Sequence, residues 1–249
     1  MTGKKVGIVF AAVSTILSVS CQAQARFGWS NYPRYFKYTL KVGGGYGLFR
    51  MKSINEDYIE NFAREFDLFE NTIDSGPHLF AEIGMFVSPN TSINFAVEYL
   101  KAGTEHEAVI VDSLVAYNQK SKLDVSMMAL RLRFKYYLIA EPVGLFFSGS
   151  ISRLSGTSDI GFETDNPRAV SPLDYSFSAI GVGLASSVGL SFKMRPRFIL
   201  DIEAGYRYYS SSDLEDDTGR VWQVEYGGRF PMNLDFTGPF LSADIALAL

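Results

Sequence analysis

The last nine residues, Leu241 to Leu249, alternate. Leu241, Ala243, Ile245, Leu247 and Leu249 fall on one face of an extended chain, and Ser242, Asp244, Ala246 and Ala248 on the other. Successive side chains of a strand point to opposite sides, so this segment is a ribbon that is apolar on one face and small or polar on the other. The same period of two recurs along the chain. Tyr38, Leu40, Val42, Tyr46 and Leu48 oppose Thr39, Lys41, Gly43, Gly45 and Gly47; Leu130, Leu132, Phe134 and Tyr136 oppose Arg131, Arg133 and Lys135. Phe198, Leu200, Ile202, Ala204, Tyr206 and Tyr208 oppose Asp201, Glu203 and Arg207. A repeated period of two excludes a helical bundle, whose apolar period is near 3.6.

Counting these segments predicts eight strands: residues 38–49, 78–87, 93–99, 123–138, 143–152, 177–192, 198–208 and the C-terminal ribbon. Their connections alternate in length. Ser88-Pro89-Asn90-Thr91, Ala140-Glu141-Pro142 and Lys193-Met194-Arg195-Pro196-Arg197 read as short turns. Long connections fall near 50–77, 102–121, 153–175 and 209–238. The expected fold is all-β: an eight-stranded antiparallel up-and-down transmembrane β-barrel with short periplasmic turns and long extracellular loops. An even strand count closes the ring and leaves no strand edge unpaired in lipid. Aromatic residues fall near the expected water boundaries: Tyr136, Phe192 and Phe198 by the short turns, Tyr99, Tyr206 and Tyr208 by the long loops. In a soluble barrel the polar phase would meet water. Here it is Gly, Ala and Ser with charges of both signs at mid-strand, which suits a narrow interior.

The N-terminus has Lys4 and Lys5, an apolar run from Val6 to about Val19, and Ala23-Gln24-Ala25. A basic region, a short apolar region and an A-x-A site predict an export signal over residues 1–25, with the barrel domain over 26–249. The run is shorter than the ~20 residues of a membrane helix. Cys21 is the one cysteine; a lipid-attachment site there would place Leu three residues earlier, where Ser18 stands, so cleavage after Ala25 is the expectation. Removal of the signal takes away two lysines and no acid, moving the formal charge from −4 to −6. That balance offers nothing to nucleic acid.

On this reading the inward phase carries the cations Lys41, Arg131, Arg133, Lys135 and Arg207 and the anions Glu82, Glu98, Asp201, Glu203 and Asp244. Charges in a narrow, poorly hydrated lumen are costly unless paired. The expectation is a lattice of ion pairs that fills the interior and blocks flow.

The export signal, eight alternating strands, short turns set against long loops, and a C-terminal strand ending in an apolar residue together resemble the small bacterial outer-membrane barrels of the OmpA/OmpX type. The resemblance covers about residues 35–249 and lies in architecture. It implies residence in the outer membrane of a Gram-negative cell, contact with outer-membrane lipid, and reading of the last strand by the barrel-assembly machinery. Members of that type usually end in Phe, where this chain has Leu249.

Chemistry is sparse. The histidines are His78, expected at the membrane interface, and His106, expected in a long loop between Glu105 and Glu107. A hydrolase needs a nucleophile beside an oriented base, and adjacent strand residues point apart, so this run is no triad. No catalytic, cofactor or metal residue is assigned. Ser212 to Gly219 and Glu225 approach a calcium loop, but the glycine and the distal glutamate each come one place late; a solvated acidic tip is the expectation. Tyr58, Phe62, Phe66 and Phe69 have helical spacing and predict a short helix over the barrel mouth. Trp222, Val224 and Tyr226 suggest strand continuing above the membrane. The function expected is non-enzymatic: a structural or adhesive barrel whose loops meet an extracellular partner. The alternatives are a lipid- or peptide-hydrolysing barrel, with His106 as its base, and a carrier of small apolar ligands.

Overall fold

The computed structural model describes residues 38–249 except 65–67, 70, 89, 113–114, 140–142, 167–171, 196 and 226–228. The expected signal, Cys21, Phe66 and Tyr226 lie outside the described residues. Strand β1 (Tyr38–Leu48) leads to a helix (Ser53–Ala63), then β2 (Ser75–Ser88), β3 (Thr91–Asp112), β4 (Val115–Ile139), β5 (Val143–Thr164), β6 (Leu173–Arg195) and β7 (Phe198–Asp213). Three short strands follow, β8 (Gln223–Glu225), β9 (Arg229–Pro231) and β10 (Asn233–Asp235), and then β11 (Gly238–Ala248).

Every neighbouring pair is antiparallel, and the order β1-β2-β3-β4-β5-β6-β7-β11 returns to β1. Eight strands therefore close a barrel. Hydrocarbon supplies no hydrogen-bond partner, so a ring in which each strand has two neighbours is the form an isolated sheet must take there.

The outward phase explains the alternation. Leu40, Val42, Leu79, Ile83, Phe95, Val97, Leu130, Phe134, Ile151, Val182, Leu190, Ile202 and Ile245 are all exposed, a band that only lipid can cover. Tyr46, Tyr99, Tyr206 and Tyr208 rim its upper edge, and Tyr38 and Phe198 its lower edge. Aromatic rings favour these boundaries because one end is apolar and the other hydrogen-bonds.

The strands overrun the expectation. A membrane-crossing strand needs about 9–11 residues, yet β3, β4, β5 and β6 have 22, 25, 22 and 23. The connections expected at 102–121 and 153–175 are mostly strand. β3 and β4 stay in register up to Asp112↔Val115, and β5 and β6 up to Phe162↔Leu173. The connection expected at 209–238 contains the end of β7 and all of β8, β9 and β10. The wall is therefore high on the β3–β6 side and low on the β7–β11–β1–β2 side.

Above the lipid band the two phases exchange chemistry. On β3 the outward residues pass from Ile93, Phe95, Val97 and Tyr99 to Lys101, Glu105 and Glu107, while the inward residues pass from Asn94 and Glu98 to Leu100 and Ala102. On β4 the inward residues pass from Lys135, Arg133 and Arg131 to Ala129, Met127, Val125 and Leu123. Lipid meets every second side chain only within the band; beyond it the sheet behaves as in a soluble protein, apolar inside and charged outside.

Phe95 and Val109 share a phase and are 62% and 68% exposed, but one faces lipid and the other water. Phe95→Arg is expected to cost about 2–4 kcal/mol, and Val109→Arg less than about 0.5 kcal/mol. Urea unfolding of the refolded protein, followed by heat-modifiable gel migration, checks the contrast.

Candidate functional site: the barrel interior and its extracellular cap

The ten inward charges expected from the sequence meet in the lower and middle lumen, each with 6% or less of its surface exposed. Asp201 accepts from the Nζ of Lys41 at 2.7 Å and from that of Lys135 at 2.6 Å. Lys41 also lies 3.8 Å from both Glu82 and Asp244. Arg133 pairs with Glu203 and, at 3.4 Å, with Glu82. Glu203 accepts two further bonds, from Ser187 Oγ at 2.9 Å and Ser242 Oγ at 3.1 Å. Higher up, Glu98 accepts from Arg131 at 3.3 Å, Arg207 at 3.0 Å and the Tyr209 hydroxyl at 3.0 Å. The strands dictate this gathering: residues of one phase from facing walls point at a common axis, and eight strands leave an interior that side chains fill.

His78 belongs to this network, against the expectation of an interfacial residue. Its Nδ1 lies 3.2 Å from Arg207 Nη2 and its Nε2 4.0 Å from Glu98, between the rings of Phe80 and Phe240. Its phase, shared with Glu82 on the same strand, was the available signal. Glycine makes the room. A Cβ on Gly43 would stand 2.7 Å from the Phe80 ring, and one on Gly183 would collide with the Tyr209 ring. Phe86, Tyr137 and Phe146 line the periplasmic end, with Lys135 Nζ 3.7 Å above the Phe146 centroid.

The upper lumen is filled differently. Leu100, Val125, Met127, Leu154 and Tyr209 from the wall form one buried cluster with Met51, Ile54, Tyr58, Ile59 and Phe69 from the first connection and Leu214, Val224, Met232, Leu234 and Phe236 from the last. A helix covers the mouth, but over Ser53–Ala63 only: it includes Tyr58 and Phe62 of the expected face and ends before Phe69. Its bonds span five residues, as in Arg64 N–H to Ile59 O at 2.9 Å, a wide π-type coil. Tyr58 joins the layers, its ring 5.0 Å from Trp222 and 6.1 Å from Phe69, while Trp222 stacks on Phe177 at 4.8 Å. Burial pushes the Tyr58 phenol well above its ordinary range. Entry to the helix runs through Met51, buried and at φ 44. Its N–H is tied to Asp235 O at 3.0 Å, which holds a conformation costing roughly 1–2 kcal/mol in a non-glycine residue.

Asn55 locks this cap. Its Nδ2 donates to Arg50 O at 3.0 Å and Ile73 O at 2.7 Å, and its Oδ1 accepts from Ile73 N at 2.8 Å. One side chain thus fastens both ends of the first extracellular connection.

His106 lies on strand β3 and not in a loop. It pairs with Ser121, with Glu105 and Glu107 on the opposite face, where both approach Lys120. These carboxylates raise the Lys120 amine above its usual range. The acidic tip is a self-contained turn: Asp216 Oδ1 accepts from Thr218 N, Thr218 Oγ1 and Arg220 N at 2.8, 2.7 and 2.9 Å, and Gly219 takes φ 78. Those bonds hold the Asp216 carboxyl below its ordinary value.

A closed eight-stranded antiparallel ring with an outward apolar band defines an outer-membrane β-barrel. Residues 9–230 match the family model described as outer membrane protein beta-barrel domain, and the chain belongs to that family. No curated protein sequence matches it. Among solved structures it is similar to Neisserial surface protein A, at 14% identity and TM-score 0.45 over 85% of this chain and 97% of that one. It is also similar to the attachment invasion locus protein of Yersinia pestis, at 14% and 0.41 over 86% and 99%, and to OprG of Pseudomonas aeruginosa, at 9% and 0.42 over 86% and 97%. The protein is a resident of the outer membrane, in contact with its lipid.

Arg133→Met leaves Glu203 and Glu82 buried without their guanidinium, and is expected to cost about 3–5 kcal/mol in urea unfolding. Adding Glu203→Gln to it should recover part of that loss. Asn55→Ala removes three bonds, two of them buried, of about 1 kcal/mol each. Its barrel should still migrate as folded, while protease added outside reconstituted vesicles cuts the 50–77 connection faster than in the parent.

Proposed function

We propose that this chain is a non-enzymatic outer-membrane barrel with a closed lumen, working structurally or in surface recognition through its extracellular part. One observation carries the reading: the interior is filled twice, by paired charges at membrane level and by an apolar core with a helix above it. A transport path would have to break both. The surface left for function is the high extracellular wall and the connections above it, where an extracellular partner would bind. The expected reader of the C-terminal strand is the barrel-assembly machinery, and the strand offers it Leu241, Ile245, Leu247 and Leu249 on the lipid-facing phase. The filled upper lumen speaks against a carrier of small apolar ligands, and the separation of His106 from the neighbouring carboxylates against a hydrolase.

Planar-bilayer recordings test it. The purified protein is expected to give no steady unit conductance. The pair Arg133→Ala and Glu203→Ala, which empties the centre of the lattice, should give at most brief openings because the upper core remains. Large, steady openings of the unmodified protein would overturn the closed-lumen reading.

A further inference from the structure

Among the described residues, the outward phase of the lipid band holds one charged side chain, Arg153. It stands on β5 between Leu130 of β4 and Val182 of β6, which are 56% and 72% exposed. One ladder position further toward the extracellular end, Met128 and Ile180 are exposed as well. Arg153 is itself exposed, and no ion pair joins it to a described residue. The outward carboxylates nearest to it are Asp235, three strands across on its own ladder rung, and Glu215, bridged to Ser178 higher on β6. Strand spacing and rise put each of these backbones about 14 Å or more away.

A cation facing hydrocarbon without a counter-charge is costly at the bilayer centre and tolerated near the boundary. Arg153 is near the boundary. Val143 to Arg153 makes up eleven residues of β5, the full length of a membrane-crossing strand. The rungs on either side of it carry Tyr208 and Tyr99 of the upper aromatic rim. An arginine placed here lays its apolar stem on the band and lifts its guanidinium to headgroup level. The outward phase above it is hydroxylic: Ser155 and Thr157 on β5, Ser126 on β4 and Ser178 on β6. Ser155 and Ser178 are exposed; Ser126 and Thr157 are half-buried, their hydroxyls 2.9 Å apart.

We propose that Arg153 anchors a lipid site on the outer face of β4, β5 and β6, and that its ligand is a phosphorylated glycolipid of the outer leaflet. The guanidinium offers one phosphate two parallel N–H donors. The hydroxyl row above it meets a sugar headgroup, rich in hydroxyls of its own, where the smaller headgroup of a phospholipid would leave most of that row to water. Leu130 and Val182 flank the acyl chains below. The inference needs neither a closed lumen nor an extracellular protein partner, so its failure and theirs are separable.

The test uses the refolded barrel in maltoside micelles, whose detergent carries no phosphate, and measures bound lipid by native mass spectrometry. Diphosphoryl lipid A is expected to bind about tenfold more tightly than the same lipid stripped of its phosphates. Arg153→Leu, which makes the face wholly apolar, should lose that difference, and Arg153→Lys, a point charge without the fork, should keep part of it. Ser155→Ala together with Ser178→Ala should weaken lipid A and leave phosphatidylglycerol unchanged. In lipid-free micelles Arg153→Leu should unfold in urea no faster than the parent, which separates lost binding from lost fold. Equal binding of lipid A by Arg153→Leu and the parent would overturn the site. Equal affinity of the parent for phosphatidylglycerol and lipid A would overturn the glycolipid in favour of a phospholipid. Displacement of lipid A by millimolar glucosamine 1-phosphate would reduce the site to one for soluble anions and overturn the lipid. Faster unfolding of Arg153→Leu in those micelles would make the arginine a structural residue and overturn the proposal as well.

Discussion

Hydrocarbon offers a backbone amide nothing to bond to, and this one deficiency organises the molecule. Each strand in the band needs two neighbours, so the sheet must close, and at eight strands the closed ring is too narrow for bulk water. Whatever points inward must then fill the space and satisfy itself. The Gly-rich inward phase of β1, the aromatic rings of Phe80 and Tyr209 laid over glycines, and the balanced charges of the lattice are three answers to the same demand.

The two fillings of the lumen obey different rules. Paired charges at membrane level are weak evidence of net stability, because desolvation cancels much of their attraction. They are strong evidence of specificity. Asp201 held by Lys41 from β1 and by Lys135 from β4, and Glu98 held by Arg131 from β4 and by Arg207 from β7, tie opposite walls at fixed heights. A strand slipped by one residue would point these groups at lipid. The upper core works as in a soluble domain, by apolar area removed from water, and it draws its residues from segments far apart in sequence. The lattice fixes register; the core holds the cap.

The sequence was most legible where lipid imposes its period. The ring of eight antiparallel strands followed from alternation, because one face must be apolar through the whole band. Legibility failed where that constraint stopped. Residues 102–121 read as a loop because Lys101, Glu105 and Glu107 broke the apolar phase, although the period of two continues unbroken through them. What had happened was an exchange of faces, with Leu100 and Ala102 taking the inward phase as the charges moved out. His78 was misplaced for a related reason, its position at the head of a strand having outweighed its phase. Asn55 lay beyond pattern reading altogether, since its partners Arg50 and Ile73 are brought together only by the folded cap.

The slanted rim follows from the same deficiency taken in reverse. Above the band water can satisfy a backbone group, so closure is no longer compulsory and strands may end at different heights. β1 and β2 stop at Leu48 and Ser75 while β3 and β4 run on together. The low side leaves room for the helix and the β8–β10 segment to lean inward against the high wall. On the high side, among the described residues, β3 runs on past its ladder with β2 and stays paired with β4. Closure inside the membrane and openness outside it are thus two outcomes of one rule, and the boundary between them is drawn on β3 between Tyr99 and Lys101.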